Sequence, residues 1–261
     1  MKFSILINTH NQSSFIGECI NSCINQDFQD YEIIITDTSE QKINRKYIKP
    51  KKINYFHLKS DSKYPVMDQM NQVLFGLNKS SGKYICLLDG DDKFSKKKLK
   101  QLSYILKDEK IDINQDLPTI FSKNIKIEQT KIKNYKNNDI FKKTIIDWPQ
   151  IYGTSTITVK RKILKLFFKK TKPFRWKYLA IDVQLILFCS NFFNIENKLN
   201  KITFKRKHEK NLDETFSNLM TKAYWIRRKM QLDLNFSIKK KNTLNLDFFI
   251  TNFMFFIVRF F

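Results

Sequence analysis

At 261 residues, 42% hydrophobic and 14% aromatic, the chain can bury a sizeable core in one large domain, which excludes a disordered protein. Its 48 Lys and Arg against 25 Asp and Glu leave a net charge of +23, which permits nucleic acid, an anionic membrane surface or a phosphorylated ligand as partner and selects none of them. Four scattered cysteines, Cys19, Cys23, Cys86 and Cys189, exclude a disulfide scaffold, and no stretch reaches the roughly 18 apolar residues of a membrane span.

The opening apolar run, 3–7, is too short for a signal-peptide core, so a cytoplasmic location is expected. That run reads as a buried strand feeding the polar set Asn8, Thr9, His10 and Asn11. A helix follows over 14–25, capped by Ser13 or Ser14, with Phe15, Cys19, Ile20 and Cys23 at helical spacing. Residues 31–37 form a second buried strand closed by Asp37, and 53–58 a third. Pro65 opens a helix through Asn78, with Met67, Met70, Val73, Leu74 and Leu77 on one face and Ser81-Gly82 at its end. Residues 84–88 make a fourth strand that runs straight into Asp89, Gly90, Asp91 and Asp92.

Strands alternating with helices across short turns imply an α/β fold with a mainly parallel sheet covered on both faces. Ligands of such sheets sit beyond the carboxyl ends of the strands, where Thr9, Asp37 and Asp89 fall. From about residue 108 the pattern loosens, and the Lys- and Asn-rich stretch 123–143 reads as a solvated insertion. A strand over 153–159, helices near 162–168 and 178–191, a strand over 199–204 and a basic amphipathic helix over 213–232 follow. The apolar tail 248–261 is preceded by basic clusters at 227–229 and 239–241. Docking on an anionic leaflet and packing on the body of the protein or a second subunit are both open for it.

Several nucleotide and metal signatures are absent. Gly76 and Gly82 are separated by five residues instead of four and Lys83 precedes Tyr84, so there is no P-loop; no Gly-x-Gly-x-x-Gly occurs, and His10, His57 and His208 form no metalloprotease pair. Phe94 and Lys100 stand where an EF-hand needs glycine and glutamate. What remains is the triplet Asp89, Asp91 and Asp92 at the end of an apolar strand, where burial makes carboxylates repel unless a cation joins them. Oxygen donors on a short turn suit Mg²⁺ or Mn²⁺, which complete their shells with substrate phosphates. Taken alone, the triplet fits a solvated Asp-Gly turn equally well.

With its companions, the triplet resembles the family 2 glycosyltransferases, GT-A-fold enzymes that move a sugar from a nucleoside-diphosphate donor to a hydroxyl. Residues 3–11 look like the family's first strand and nucleotide loop, which implies donor contacts at Thr9 and Asn11, with Asn8 in place of the usual proline. Residues 32–39 are similar to the second strand, whose terminal Asp37 would hold base or ribose, with Thr38 where a second acid often follows. Residues 71–88 look like the helix and strand leading into the DxD motif, which adds Asn71 to the donor site, sets Asp89 toward the ribose and assigns Asp91 with Asp92 to Mn²⁺ or Mg²⁺.

Residues 148–161 are similar to the acceptor-side segment, implying Trp148, Gly153 and Thr154 as acceptor contacts. Asp182 occupies the place of the catalytic carboxylate, with Ile181 where the family often carries Glu; a first-turn acid favoured by the helix dipole is the competing reading. Residues 205–208 look like a basic segment over the donor diphosphate, which implies Arg206 and His208 there, against a solvated basic loop.

The resemblance implies a GT-A domain over 1–210, with a Rossmann-like nucleotide-sugar half at 1–95 and an acceptor half at 96–210, then a helical extension over 211–261. It further implies inverting transfer from a UDP-sugar, the family's commonest donor, to a glycan or lipid-linked acceptor in cell-surface polysaccharide synthesis, with peripheral contact on the inner face of the cytoplasmic membrane through the C-terminus. The alternatives are a nucleotidyltransferase making nucleotide-sugars and a basic nucleic-acid-binding module. Lysines spread along the whole chain, and an anionic motif that would repel a phosphate backbone, argue for no nucleic-acid partner.

Overall fold

The computed structural model describes residues 1–60, 63–122, 149–208, 218, 221–238 and 246–258. The insertion expected over 123–143, Trp148, the start of the helix expected at 213 and the basic cluster 239–241 lie outside the described residues.

The strands are β1 (Phe3–Thr9), β2 (Tyr31–Asp37), β3 (Ile53–His57), β4 (Tyr84–Asp89), β5 (Lys93–Phe94), β6 (Ile113–Phe121), β7 (Ile157–Lys160) and β8 (Ile195–Arg206). The helices are α1 (Ile16–Ile24), α2 (Pro65–Lys79), α3 (Lys98–Ile105), α4 (Arg161–Thr171), α5 (Ile181–Phe192), α6 (Lys222–Ile238) and α7 (Leu246–Ile257). All eight strands join one sheet in the order β3-β2-β1-β4-β7-β6-β8-β5. The first four run parallel; β7 is antiparallel to both β4 and β6, β6 and β8 are parallel, and β5 closes the edge antiparallel to β8.

β1 and β2 are buried at every position because both faces of the sheet are covered. Successive residues of a strand point to opposite faces, and the core divides accordingly. Phe3, Ile5, Ile7, Ile33 and Ile35 pack against Ile16, Cys19 and Ile20 of α1 and Leu99 and Leu102 of α3. Leu6, Ile34, Ile85 and Leu87 pack on the other face against α2, α4 and α5. The register sets Thr9 opposite Asp37 and Asn8 opposite Asp89, so the polar ends of β1, β2 and β4 share one edge.

Four local differences from the sequence pattern have physical reasons. Neither Ser13 nor Ser14 caps α1; it opens after Phe15, where the N–H groups of Phe15 and Ile16 both donate to the Gln12 carbonyl, at 2.9 and 3.0 Å, and do the work of a side-chain cap. Residues 154–156 are a 3₁₀ turn, so β7 starts only at Ile157. β8 is longer than 199–204 because it pairs along most of β6. β6 lies where the apolar pattern loosens: Asn114, Gln115 and Asp116 are wholly buried polar residues, and Pro118 sits at a register shift opposite β8.

α6 packs on α5 through Trp176, Leu179, Val183, Leu187 and Leu234. α7 is tied to α6 by Arg228, whose Nη2 meets both Asp247 oxygens at 2.8 Å, while Phe249, Phe253 and Phe256 stay exposed. Among the described residues no helix is long and apolar enough to cross a membrane.

Candidate active site

The loops after β1 and β2 are sewn together by short-range polar contacts. The Thr9 carbonyl accepts from the Thr38 N–H at 3.1 Å and from Gln72 Nε2 at 2.7 Å, and the same amide donates to Thr38 Oγ1 at 2.7 Å. Asn11 has φ +51°, a left-handed conformation that Asn tolerates better than most residues, and its N–H donates to Ser39 Oγ at 2.7 Å. Asp37 is wholly buried; its Oδ1 accepts from the Ser39 N–H and its Oδ2 from the Tyr55 hydroxyl, both at 2.8 Å. Burial and the adjoining Asp37 carboxylate push the Tyr55 phenol up, so it remains the donor.

Beside this loop the acidic turn passes so close that only glycine fits: a Cβ on Gly90 would stand 2.6 Å from Thr9 Oγ1 and Gln12 Oε1. Asp89 Oδ1 accepts from Asn8 Nδ2 at 2.6 Å and Gln69 Nε2 at 2.9 Å. Asn8, in the place of a proline, therefore supplies a donor that proline could not. Burial and then the Asp91 charge push the Asp89 carboxyl up to about 7, against the pull of those two amides. The Asp182 charge raises it as well, so both acids lie in one electrostatic field.

Asp92, expected beside Asp91 as a metal ligand, also has a structural task. Both of its oxygens are engaged inside the protein, Oδ2 by the Ser155 hydroxyl at 2.6 Å and Oδ1 by the Arg206 N–H at 2.7 Å. It ties the acidic turn to β8. Burial, then Asp91 and Asp89, hold its carboxyl well above the usual carboxylate range. Asp91 instead meets His208, with Nε2 and Oδ2 2.8 Å apart, and its carbonyl accepts from Arg206 Nε at 2.9 Å. Phe15 underlies both side chains: the His208 ring stacks on it at 5.0 Å, and the Arg206 guanidinium lies 4.7 Å from its centroid.

The upward shifts of two buried acids beside a third reflect mutual repulsion that added positive charge would relieve. The donor chemistry of Asp91 and His208 fits a divalent ion. Among the described residues no three His, Cys, Asp or Glu side chains form a ready-made metal site, so other ligands would have to come from phosphate oxygens and water.

A second polar network holds the turn from behind. The wholly buried Lys98 donates to Asp116 Oδ2 at 2.7 Å, Thr203 Oγ1 at 2.6 Å and the Ser155 carbonyl at 3.1 Å. Ser155 in turn accepts from the Asp89 N–H at 3.0 Å while donating to Asp92.

Asp182 stands in the first turn of α5, where its Oδ1 accepts the Val183 N–H at 2.8 Å. It also lines a cavity of about 300 Å³ together with Gly153 and Lys205, so the helix-dipole position and exposure to a ligand coexist. Thr154, an expected acceptor contact, is buried and accepts from Gln69 Nε2 at 3.5 Å beside the Asp89 rim. Asn71 is exposed on α2, while its neighbours Gln69 and Gln72 carry the amides that reach the rim. Those two glutamines and Lys98 are not singled out by the sequence pattern, and Phe15 is read there only as an apolar helix position. The readable signal was polar residues three apart on a helix whose face is otherwise apolar.

A sheet whose parallel half ends in an acidic turn and that is covered by helices on both faces has the GT-A-type architecture. Crystal structures of Staphylococcus aureus TarS share it: residues 1–349 with UDP-GlcNAc match at a TM-score of 0.66 over 99% of this chain and 72% of that one, at 16% identity. The chain belongs to Glycosyl transferase family 2, whose family model matches residues 4–168. An uncharacterized glycosyltransferase of Rickettsia bellii is 31% identical over 162 residues, 59% of this chain and 22% of that protein. The Campylobacter jejuni GalNAc(5)-diNAcBac-PP-undecaprenol beta-1,3-glucosyltransferase is 29% identical over 96 residues, 35% and 30% of the two chains. The chain thus spans about a quarter of the length of the Rickettsia relatives it matches. The family match stops short of Asp182, Arg206 and His208.

Proposed function

We propose that the chain transfers a sugar from a UDP-sugar to a hydroxyl of a glycan or lipid-linked acceptor, inverting the anomeric centre, with Mn²⁺ or Mg²⁺ as cofactor. The observation that carries this reading is the convergence of Asp37, Asp89 and Asp91 on one strand-end rim with Asp182 in the same electrostatic field. UDP and UDP-GlcNAc are the ligands of the TarS crystals that share the fold. TarS is named for transfer of N-acetylglucosamine to poly(ribitol-phosphate), and the Campylobacter relative for a diphosphate-linked lipid.

Asp37 and the Asn11 loop hold the base and ribose, and Asp89, kept in place by Asn8 and Gln69, faces the ribose. The acceptor oxygen attacks the anomeric carbon as the bond to the diphosphate breaks. Asp182 takes the hydroxyl proton, since an alcohol is a poor nucleophile at neutral pH. Arg206 and His208 stabilise the charge that grows on the departing UDP. A divalent ion held by Asp91 and His208 would supply Lewis-acid stabilisation of that same diphosphate.

The α7 face of Leu246, Phe249, Ile250, Phe253 and Phe256 supports peripheral contact with an anionic membrane surface at the inner leaflet. Flotation with anionic vesicles should carry the full chain upward, and a Phe249→Ser/Phe253→Ser variant should stay in the dense fraction. Equal behaviour of the two would remove the membrane from the reading.

Thermal-shift screening of nucleoside diphosphates and their sugars with and without Mn²⁺ tests the transferase. A Mn²⁺-dependent shift with UDP or a UDP-sugar, and release of UDP during turnover, are expected. Release of pyrophosphate would replace the reading with nucleotidyl transfer.

A further inference from the structure

β7 runs antiparallel to β4, with Lys160 opposite Tyr84, so it finishes at the end of the sheet away from Asp89. α4 starts there, where the Arg161 N–H donates to the Lys83 carbonyl at 2.9 Å, and its 11 residues climb about 16 Å back toward the rim. The 3₁₀ turn Pro173–Arg175 and Lys177 then meet the start of α2, the helix whose Gln69 reaches Asp89. The Lys177 ammonium stands 5.3 Å from the centroid of Tyr64, and the rings of Tyr64 and Tyr178 meet edge-on at 5.6 Å. Four residues after Tyr178 comes Asp182, in the first turn of α5.

This stretch of chain is one-sided in charge. Residues 148–181 contain nine Lys and Arg and no Asp or Glu. On α4, Ile163, Leu164 and Phe167 are buried, while Lys162, Lys165 and Lys169 recur at helical spacing on the opposite, exposed face, and Lys172 continues the stripe past the helix end. At the far end of the sheet the charge is balanced, with Lys160 paired to Asp112 at 2.8 Å. At the rim end it is not: Lys169, Lys170, Lys172, Arg175 and Lys177 are all exposed, and among the described residues none is paired with an acid. Phe174 lies among them in sequence, 39% exposed, with its ring 6.5 Å from that of Phe168.

A phosphate polymer would engage the five cations and leave Phe174 in water. A lipid leaflet takes both, the cations at the headgroup phosphates and the phenyl ring at the acyl boundary. We propose that the rim end of α4 and the turn after it, with Phe174, form a docking surface for an anionic lipid leaflet, which sets the Asp182 end of the sheet against the membrane. The proposal rests on the reading of the acceptor as lipid-linked, and it adds which end of the molecule meets the lipid.

The test is flotation of the full chain with phosphatidylcholine vesicles, with and without phosphatidylglycerol. Binding should require phosphatidylglycerol and weaken as salt is added. Lys169→Gln/Lys172→Gln should lower the partition coefficient about ten- to thirtyfold and Phe174→Ser about five- to tenfold. Lys100→Gln/Lys107→Gln removes the same charge from α3, on the other face of the sheet, and should bind within about twofold of wild type. An equal loss in that control would reduce the effect to net charge and overturn the proposal. So would wild-type binding by the Lys169/Lys172 and Phe174 variants, even if the Phe249→Ser/Phe253→Ser variant of α7 lost it, a result that would leave membrane contact through the C-terminus standing. Weakened binding of an oligonucleotide by the Lys169/Lys172 variant, with vesicle binding unchanged, would give the surface to nucleic acid instead. The measurement needs no turnover, so a chain that docked through these residues and never released UDP would sink the transferase reading alone. All the substituted side chains are exposed, and an unchanged melting temperature in each variant should show the fold intact.

Discussion

On the β1–β4 side of the sheet the polar side chains gather at strand ends, whereas on the β6–β8 side they are buried in mid-strand. Thr9, Asp37 and Asp89 finish their strands; Asn114, Gln115, Asp116 and Thr203 lie wholly buried, with Asp116 and Thr203 bonded to Lys98 and Gln115 to Asn197. The contrast separates two tasks. One side presents charge, and the other, through Lys98 and Ser155, holds the acidic turn in the geometry that presents it.

Breaking the presenting side should cost the most. Asp91→Asn should lower turnover by about 10³-fold or more in a UDP-release assay, because it removes the carboxylate that would hold the ion. Asp182→Asn should lower kcat by about 10²–10⁴-fold and leave the UDP dissociation constant within about twofold. Wild-type turnover in that variant would return Asp182 to the role of a helix-start acid. The supporting side should fail as stability: Lys98→Met leaves a buried, unpaired Asp116 and should cost about 3–5 kcal/mol in denaturant unfolding. A loss near zero would show that the network behind the turn is slack.

A finer cut lies within α2. Gln69→Ala removes one of two amides on Asp89 and should raise the donor KM about tenfold, while Asn71→Ala should change it by less than about twofold. The reverse order would restore Asn71 to the donor site.

The smallest effect is expected at the opposite end of the sheet, far from the rim. Burial pushes the Glu32 carboxyl up, but donors from Ser4, Ser81 and the Gly82 amide outweigh it and leave it below the ordinary value. A depressed folded-state pKa stabilises the fold above the unfolded value and loses that contribution as pH falls through the folded one. The melting-temperature gap between wild type and Glu32→Gln should therefore be full above the ordinary carboxylate range and close as pH falls below it. A gap that widened in acid would reverse the sign of the argument.

The same contrast explains what was legible in the sequence. β1, β2 and β4 are continuous apolar runs closed by a polar residue, so strand, direction and site could be read together from Ile5, Asp37 and Leu88 onward. β6 carries its polar residues inside, where Lys98, eighteen residues away, satisfies Asp116; no local pattern announces a strand whose partners are distant. Asp92 looked open because a triplet of acids shows nothing of the Arg206 backbone that engages it from 114 residues on. Asn71 and Gln69 differ only in which side of α2 they occupy, a distinction that needed the sheet in place.

The most direct test is a crystal of the full chain grown with UDP and Mn²⁺, read by anomalous scattering at the manganese edge. The account predicts one peak between Asp91, His208 and the UDP phosphates, with the uracil and ribose against Asp37 and Asp89. A nucleotide bound elsewhere, or manganese away from Asp91, would contradict it.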